Sequence, residues 1–240
     1  MPAALFKINP GEALLLEKRK QIRKFRSSDR EQVTRIFIDN AFAGEGLADY
    51  FPRFGFLAWA MMGRYFIFRR DFFWVAQDEK DQVIGFICGD TEHFCLNLLK
   101  IFLLAPVIAF WFILDAPFIT RRGWDLLGGF FWSLIRGEFN FNSREIPRDY
   151  PAHLHINIAP GLQQKGLGSE LMEIFLQELE KRSIKGVHLR LYDGDDEGQA
   201  YRFFKKFSFK EVTRKEASFM SRVSEEKKFL ITMVRKIERG

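Results

Sequence analysis

The 240-residue sequence is poor in cysteine and histidine, with two of the first and four of the second. Cys88 and Cys95 have no partners at metal-ligand spacing, so a structural zinc site is excluded. Two thiols in a chain of this length also exclude a disulfide framework, and a reducing compartment is the natural reading. No secretory leader is expected either. The opening MPAALFKINPGEALLLEKRK is interrupted by Pro10, Gly11 and Glu12, and its positive charges follow the apolar part instead of preceding it. A cytoplasmic location is therefore expected. Long blocks of one charge sign are absent: 37 basic residues are interleaved with 31 acidic ones, and no nucleic-acid-reading motif appears. Nucleic acid is not expected as a partner.

What is abundant is phenylalanine, at 28 residues, with the excess before residue 142. Apolar residues make up 47% of the chain, enough for a substantial core and too many for wholesale disorder. The formal charge of +6 and pI of about 9.3 suit a phosphate-bearing ligand or an anionic surface.

Residues 22–25 read as a short strand. Ser28 and Glu31 have capping-box spacing ahead of a helix over 29–40. A strongly apolar helical piece fills 53–68, after a loop at Ala-Gly-Glu-Gly, 43–46. The runs FFWVAQD (72–78) and QVIGFICG (82–89) read as a hairpin. Residues 90–150 break this rhythm with two apolar runs, 94–114 and 123–135, and a polar linker to Tyr150. A βα pattern then resumes: strand 152–159, helix 166–183, strand 187–192, helix 199–207, and closing strands near 209–214 and 228–236. No internal repeat is present.

The junction between strand 152–159 and the next helix reads Gln163-Gln164-Lys165-Gly166-Leu167-Gly168-Ser169. A helix starting here leaves its first amides unpaired at the positive end of the peptide dipoles. Glycines at 166 and 168 carry no β-carbon to hold a bulky anion away, and Lys165 adds a mobile charge. These features suit a pyrophosphate. The pattern is neither a P-loop nor a dinucleotide fingerprint.

Gln163, Gly166 and Gly168 match the Gln/Arg-x-x-Gly-x-Gly/Ala cofactor loop of the GNAT superfamily of N-acetyltransferases, which this sequence resembles. Ile156, Ile158 and Pro160 match that family's preceding strand. Ala200, Phe203, Phe204, Lys206, Ser208 and Phe209 match its Ala-x-x-Phe-Tyr-x-Lys-x-Gly-Phe run. The resemblance covers roughly 21–90 and 151–238. It implies acetyl-CoA as co-substrate, with no metal, and an amine acceptor that is a small molecule or a peptide. The pyrophosphate would lie on the amides from Gln163 to Ser169, and the pantetheine arm beside the backbone of Ile156 and Ile158. The thioester would lie between strands 152–159 and 187–192, near Phe204.

His153 and His155 stand two apart on one strand and so face one side; histidine can take a proton from an ammonium near neutral pH. Some arylalkylamine acetyltransferases carry a similar Ala-His-Leu-His strand. The family's usual proton donor is a tyrosine where this chain has Phe204; Tyr201, one turn earlier, is the substitute candidate. The family's Asn near that helix start is also missing, and Asp193, Asp195, Asp196 and Glu197 occupy the region, either to cap the helix or to bind a cationic acceptor. Cys88 and Cys95 lie away from the loop, which favours direct attack over a covalent enzyme intermediate.

The expected architecture is α/β: a GNAT-type mixed central sheet flanked by helices, with a long apolar helical insertion between the third and fourth strands. An extension, 1–20, precedes an acetyltransferase domain, 21–240, interrupted at 91–150. A membrane span at 94–114 conflicts with the fold, since one crossing would separate the strands on either side. The insertion is therefore a lid over the acceptor, or an element in 94–135 docked on the inner face of the membrane and helped by the basic run Lys18-Arg19-Lys20. A non-catalytic acyl-CoA sensor is the alternative to an enzyme, because of Phe204 and the missing Asn.

Overall fold

The computed structural model describes residues 21–40, 50–53, 55–68, 70–91, 94–135, 149–194, 197–217 and 227–237. The extension 1–20 with its basic run, the loop at 43–46, the linker at 136–148 and the acids Asp195 and Asp196 lie outside them.

Seven strands form one sheet in the order β1-β2-β3-β4-β5-β7-β6. They are β1 (Gln21–Lys24), β2 (Phe73–Gln77), β3 (Val83–Asp90), β4 (Ala152–Ile158), β5 (Gly186–Asp193), β6 (Lys210–Glu216) and β7 (Phe229–Lys236). The helices are α1 (Arg30–Asp39), α2 (Gly55–Phe68), α3 (Phe94–Asp115), α4 (Arg121–Ile135), α5 (Leu167–Lys181) and α6 (Gln199–Lys206). Every neighbouring pair of strands is antiparallel except β4 and β5.

Each face of the sheet carries its own core. Leu167, Leu171, Phe175 and Leu179 of α5 pack on Ala152 and Leu154 of β4 and on Val187 and Leu189 of β5. On the other face, Val33 and Ile36 of α1 and Met62, Tyr65 and Phe66 of α2 meet Phe25, Phe73, Phe86 and Cys88. The Phe25 and Phe73 rings stack with centroids 4.2 Å apart. This two-sided burial explains why β2 and β3 read as continuous apolar runs and not as alternating ones.

The capping box expected from Ser28 and Glu31 does not start α1. Ser28 lies in a 3₁₀ turn, and α1 follows Asp29 without a side-chain cap. Asp29 is buried and accepts both Arg23 guanidinium nitrogens, at 2.7 and 2.8 Å, and the Arg26 amide at 2.7 Å. Burial alone would raise this carboxyl; the Arg23 hydrogen bond and the backbone donor outweigh it and hold the pKa below the ordinary value. A depressed carboxylate stabilises the fold above its unfolded value and loses that contribution as the pH falls through the folded one. Stability of the natural protein is therefore expected to fall below about pH 4 more steeply than that of Asp29→Asn, in urea titrations run at each pH.

Between β3 and β4 the chain leaves the sheet as α3 and α4. Phe112 of α3 meets Phe56 of α2 edge to face, with centroids 5.1 Å apart. Buried Asp115 accepts the Phe56 amide at 2.7 Å, so the end of α3 satisfies the start of α2. Thr120 donates from its amide and its hydroxyl to the Tyr50 carbonyl. Ile119 and Leu126 are buried with Ile38 and Phe51, and Tyr192 and Leu230 pack against them at half exposure. Asp115→Ala orphans a helix-start donor, and a loss of about 1–3 kcal/mol is expected. A lower urea midpoint at unchanged slope measures it, with Asp115→Asn recovering part.

Candidate active site

β4 and β5 share only two register positions, Ala152 opposite Val187 and His153 opposite His188. Beyond them β4 continues on β3 as far as Ile158, and β5 continues on β7 as far as Asp193, without pairing to each other. The sheet opens there into a wedge. Its apex is flanked by two histidines, and the backbone of Ile156 and Ile158 lies along its opened side.

Ala152 and Leu154 point into the α5 core, so His153 and His155 point to the α2 face. The two rings lie 4.6 Å apart between centroids, and the His188 ring is 5.0 Å from His153. From α2, Tyr65 places its hydroxyl 3.3 Å from His153 Nδ1 and its ring 5.5 Å from that of His155. Arg64 donates to the Tyr65 hydroxyl. His188 Nδ1 lies 2.8 Å from the Tyr150 carbonyl. A carbonyl only accepts, so Nδ1 carries the proton and Nε2 is left with its lone pair.

Burial is the main reason all three imidazoles resist protonation. It acts with Arg64 and His188 to push His155 down to about 3. It brings His188 to about 4 against the opposing hydrogen bond to Tyr150. His153 is held well below the usual range by burial and by His155, His188, Arg64 and Arg190. Burial raises the Tyr65 phenol, with Arg64 pulling the other way, so the hydroxyl stays protonated at neutral pH. Cys88 stands opposite His155 on β3, buried, with its thiol likewise raised by burial.

At the far end of β4 the loop runs from Gly161 to Gly166, with Gln164 and Gly166 at φ of 65° and 79°. Gly166 is the N-cap of α5 and makes no side-chain cap. Among the described residues, the amides of Gln163, Gln164, Gly166, Leu167 and Gly168 donate to no backbone carbonyl. A β-carbon on Gly166 would meet only Glu170 Oε1, 4.0 Å away, and one on Gly168 would meet the Phe203 ring at 3.5 Å. Gln163, Gln164 and Gly166 are exposed, Lys165, Gly168 and Ser169 half-buried, and Leu167 is buried in the core. Gln163 Nε2 donates to Asn40 Oδ1 at 3.2 Å, while Asn40 Nδ2 donates to the Ile158 carbonyl at 2.9 Å. The loop is thereby tied to the end of α1.

The remaining candidates sit elsewhere. Phe204 is buried against Phe203 and Phe209. Tyr201 is also buried, its hydroxyl bonded to Glu211 of β6 and its ring beside Arg214. No described contact joins Tyr201 to the histidines. Asp193 accepts the amides of Gly194 and Gly198, at 2.9 and 3.0 Å, and so braces the loop before α6. Tyr65, Arg64 and His188 escaped the sequence reading. A polar Arg-Tyr pair in an otherwise apolar helix, and a histidine alternating with Val187 and Leu189, were the available signals.

The backbone has close counterparts of known structure. SsHAT superposes with a TM-score of 0.57 at 20% identity, covering 92% of this chain and 99% of that one. A GNAT superfamily phosphinothricin acetyltransferase from Sinorhizobium meliloti, solved in complex with acetyl-CoA, gives 0.53 at 14% identity, covering 92% and 90%. YncA from Salmonella typhimurium, solved with its cofactor acetyl-CoA, gives 0.51 at 13%, covering 92% and 95%. The chain has the GNAT fold, as its mixed seven-stranded sheet flanked by helices implies. No protein-family model matches the sequence, and no curated protein matches it. Among the described residues no helix is long and apolar enough to cross a membrane.

Proposed function

We propose that the protein is an N-acetyltransferase that moves an acetyl group from acetyl-CoA to an amine by direct attack. The observation that carries this reading is the coincidence of two features on one strand. The amide-lined, open glycine turn stands at one end of β4, and the histidine cluster stands at the apex of the wedge at the other. The cradle fits the diphosphate of coenzyme A: Gly166 is open to solvent, and Gly168 leaves room facing Phe203. The amides from Gln163 to Gly168 would hold that diphosphate, with Lys165 at the rim and the Ser169 hydroxyl beside them, the Ser169 amide being donated to the Gly166 carbonyl. The backbone of Ile156 and the Ile158 amide, along the opened side of the wedge, would hold the pantetheine arm as an added strand. Phe204, in the adjoining core, would back the wedge without supplying a proton.

Bound acetyl-CoA supplies an activated acyl carbon. The amine forms the N–C bond, the C–S bond breaks with its electron pair on sulfur, and the proton shed by the amine nitrogen must reach a base. His153 and His155 are unprotonated and face that space; as buried, weakly basic imidazoles they would take the proton from the acidic ammonium of the tetrahedral adduct, directly or through water. The same proton can be returned to the thiolate, which balances the step. Tyr65 acts through His153 as a positioning residue. Arg64 donates to its oxygen, which would also accept from His153 Nδ1, so the His153 proton sits on Nδ1 and Nε2 keeps the lone pair that takes the amine proton. The thiolate would then take its proton from the histidines and not from Tyr201, whose hydroxyl is spent on Glu211. Cys88, buried as a neutral thiol, does not form an acyl-enzyme.

The two helices between β3 and β4 would roof the acceptor side; the packing of Ile119 and Leu126 with Tyr192 of β5 supports this reading. An amine with an apolar body suits that roof. The test is release of free CoA thiol across amines of graded apolar length. Turnover that rises with chain length supports the enzyme and the roof. Acetyl-CoA binding without turnover on any amine assigns the chain to the acyl-CoA sensors, the reading that Phe204 favours.

A further inference from the structure

The outer surfaces of α3 and α4 are apolar and exposed to a degree that the core does not explain. On α3, Phe102, Phe110 and Ile113 are 75%, 58% and 71% exposed; on α4, Phe131 is 64% exposed. From 102 to 114 the sequence FLLAPVIAFWFIL holds no charged side chain, and only the Trp111 indole can form a hydrogen bond. The two helices meet at Phe112 and Trp124, whose rings lie edge to face at 6.1 Å, so the apolar surface runs from one onto the other. Contiguous apolar surface of this kind marks an interaction site.

Two observations choose its occupant. A protein interface carries about one hydrogen bond per 100–200 Å², which the α3 stripe has almost no groups to supply, whereas acyl chains require none. Around the apolar surface, Arg121 and Arg122 are exposed, Arg53 lies 3.5 Å over the Phe118 ring, and the indoles of Trp124 and Trp132 are half exposed. Tryptophan and arginine edging an apolar helical face is the composition of an element seated at headgroup depth. The net charge of +6 favours anionic lipid, while a second copy would bring the same arginines and the same charge against themselves. β3 and β4 pair with each other, so a single crossing would part them, and α4, at 15 residues, is too short to return across a bilayer. We infer that α3 and α4 dock in one leaflet of an anionic phospholipid membrane, lying in its interface. This inference does not depend on the acyl chemistry.

The experiment is sedimentation of the full chain with vesicles of phosphatidylcholine alone or mixed with phosphatidylglycerol. Binding to the mixed vesicles is expected to exceed binding to the neutral ones by about tenfold at low salt. Serine at Phe110, Ile113 and Phe131 together is expected to reduce binding by about tenfold or more. The thermal midpoint should stay in place, because those side chains already face solvent. Arg121→Glu with Arg122→Glu should remove only the preference for anionic lipid. A natural protein that stays in the supernatant with both vesicles overturns the proposal, as do serine variants that bind equally well. So does a stable dimer that the serine substitutions dissociate without any vesicle binding, which would make this face a contact between copies.

Discussion

Gly168→Leu is expected to weaken acetyl-CoA binding by about 10- to 100-fold while leaving the fold intact, because it covers amides that would carry two or three charge-assisted hydrogen bonds. The added β-carbon meets the Phe203 ring at 3.5 Å, an ordinary contact, and its three nearest atoms all belong to side chains. Gly166→Ala separates a second effect. Its φ of 79° costs a residue with a β-carbon about 1–2 kcal/mol, so this variant should lose thermal stability as well as affinity. Calorimetric titration with acetyl-CoA reads the affinity, and thermal melts with and without ligand read the fold. A natural protein that gives no heat, or a Gly168→Leu variant that binds as well as the natural one, removes the cradle from the argument. A Gly168→Leu variant that melts much earlier without ligand would instead show that the site packs differently.

The loop was legible because its signals are local: one turn, two glycines and the start of an apolar helix are written within seven residues. The strands were legible to within a residue or two for the same reason. Ala152, Leu154 and Ile156 alternate with His153, His155 and Asn157, and that period alone assigns the two faces. Features that join distant segments were not legible. Asp29 displaced the Ser28–Glu31 box because Arg23, on a different element, reaches its carboxylate. Tyr65 lies 88 positions from His153 and was read as one more apolar residue of an apolar helix. His188 becomes part of the site only through the register that sets it beside His153 at the last paired position of the two parallel strands. Such placements follow from topology, which no spacing in the sequence records.

Replacing the histidines is expected to remove turnover far more than binding. His155→Ala should lower kcat by about 10²- to 10⁴-fold, the usual loss for a general base, with the affinity for acetyl-CoA little changed because the cradle lies at the other end of β4. His153→Ala should do the same, and the double variant should fall well short of the product of the two, since both serve one proton transfer. Tyr65→Phe should give a smaller loss, about tenfold, and a change that packing alone would not produce. Without the phenolic oxygen the His153 proton is no longer fixed on Nδ1, and nitrogen-15 spectra of the imidazole should report a mixture of tautomers. The pH dependence carries the sign. Because His155 titrates near 3 and His188 near 4 in the folded chain, all three imidazoles stay neutral through the range where free histidine charges. Unfolding therefore takes up protons below about pH 6.5, and stability should fall with acid from that point. His153→Ala/His155→Ala should flatten this slope. A natural protein whose stability is level between pH 6.5 and 4.5, or a Tyr65→Phe variant with unchanged tautomers, would show that the histidine cluster is solvated and its protons unconstrained. Turnover that survives intact in His153→Ala/His155→Ala is the result that would place the base elsewhere in the wedge.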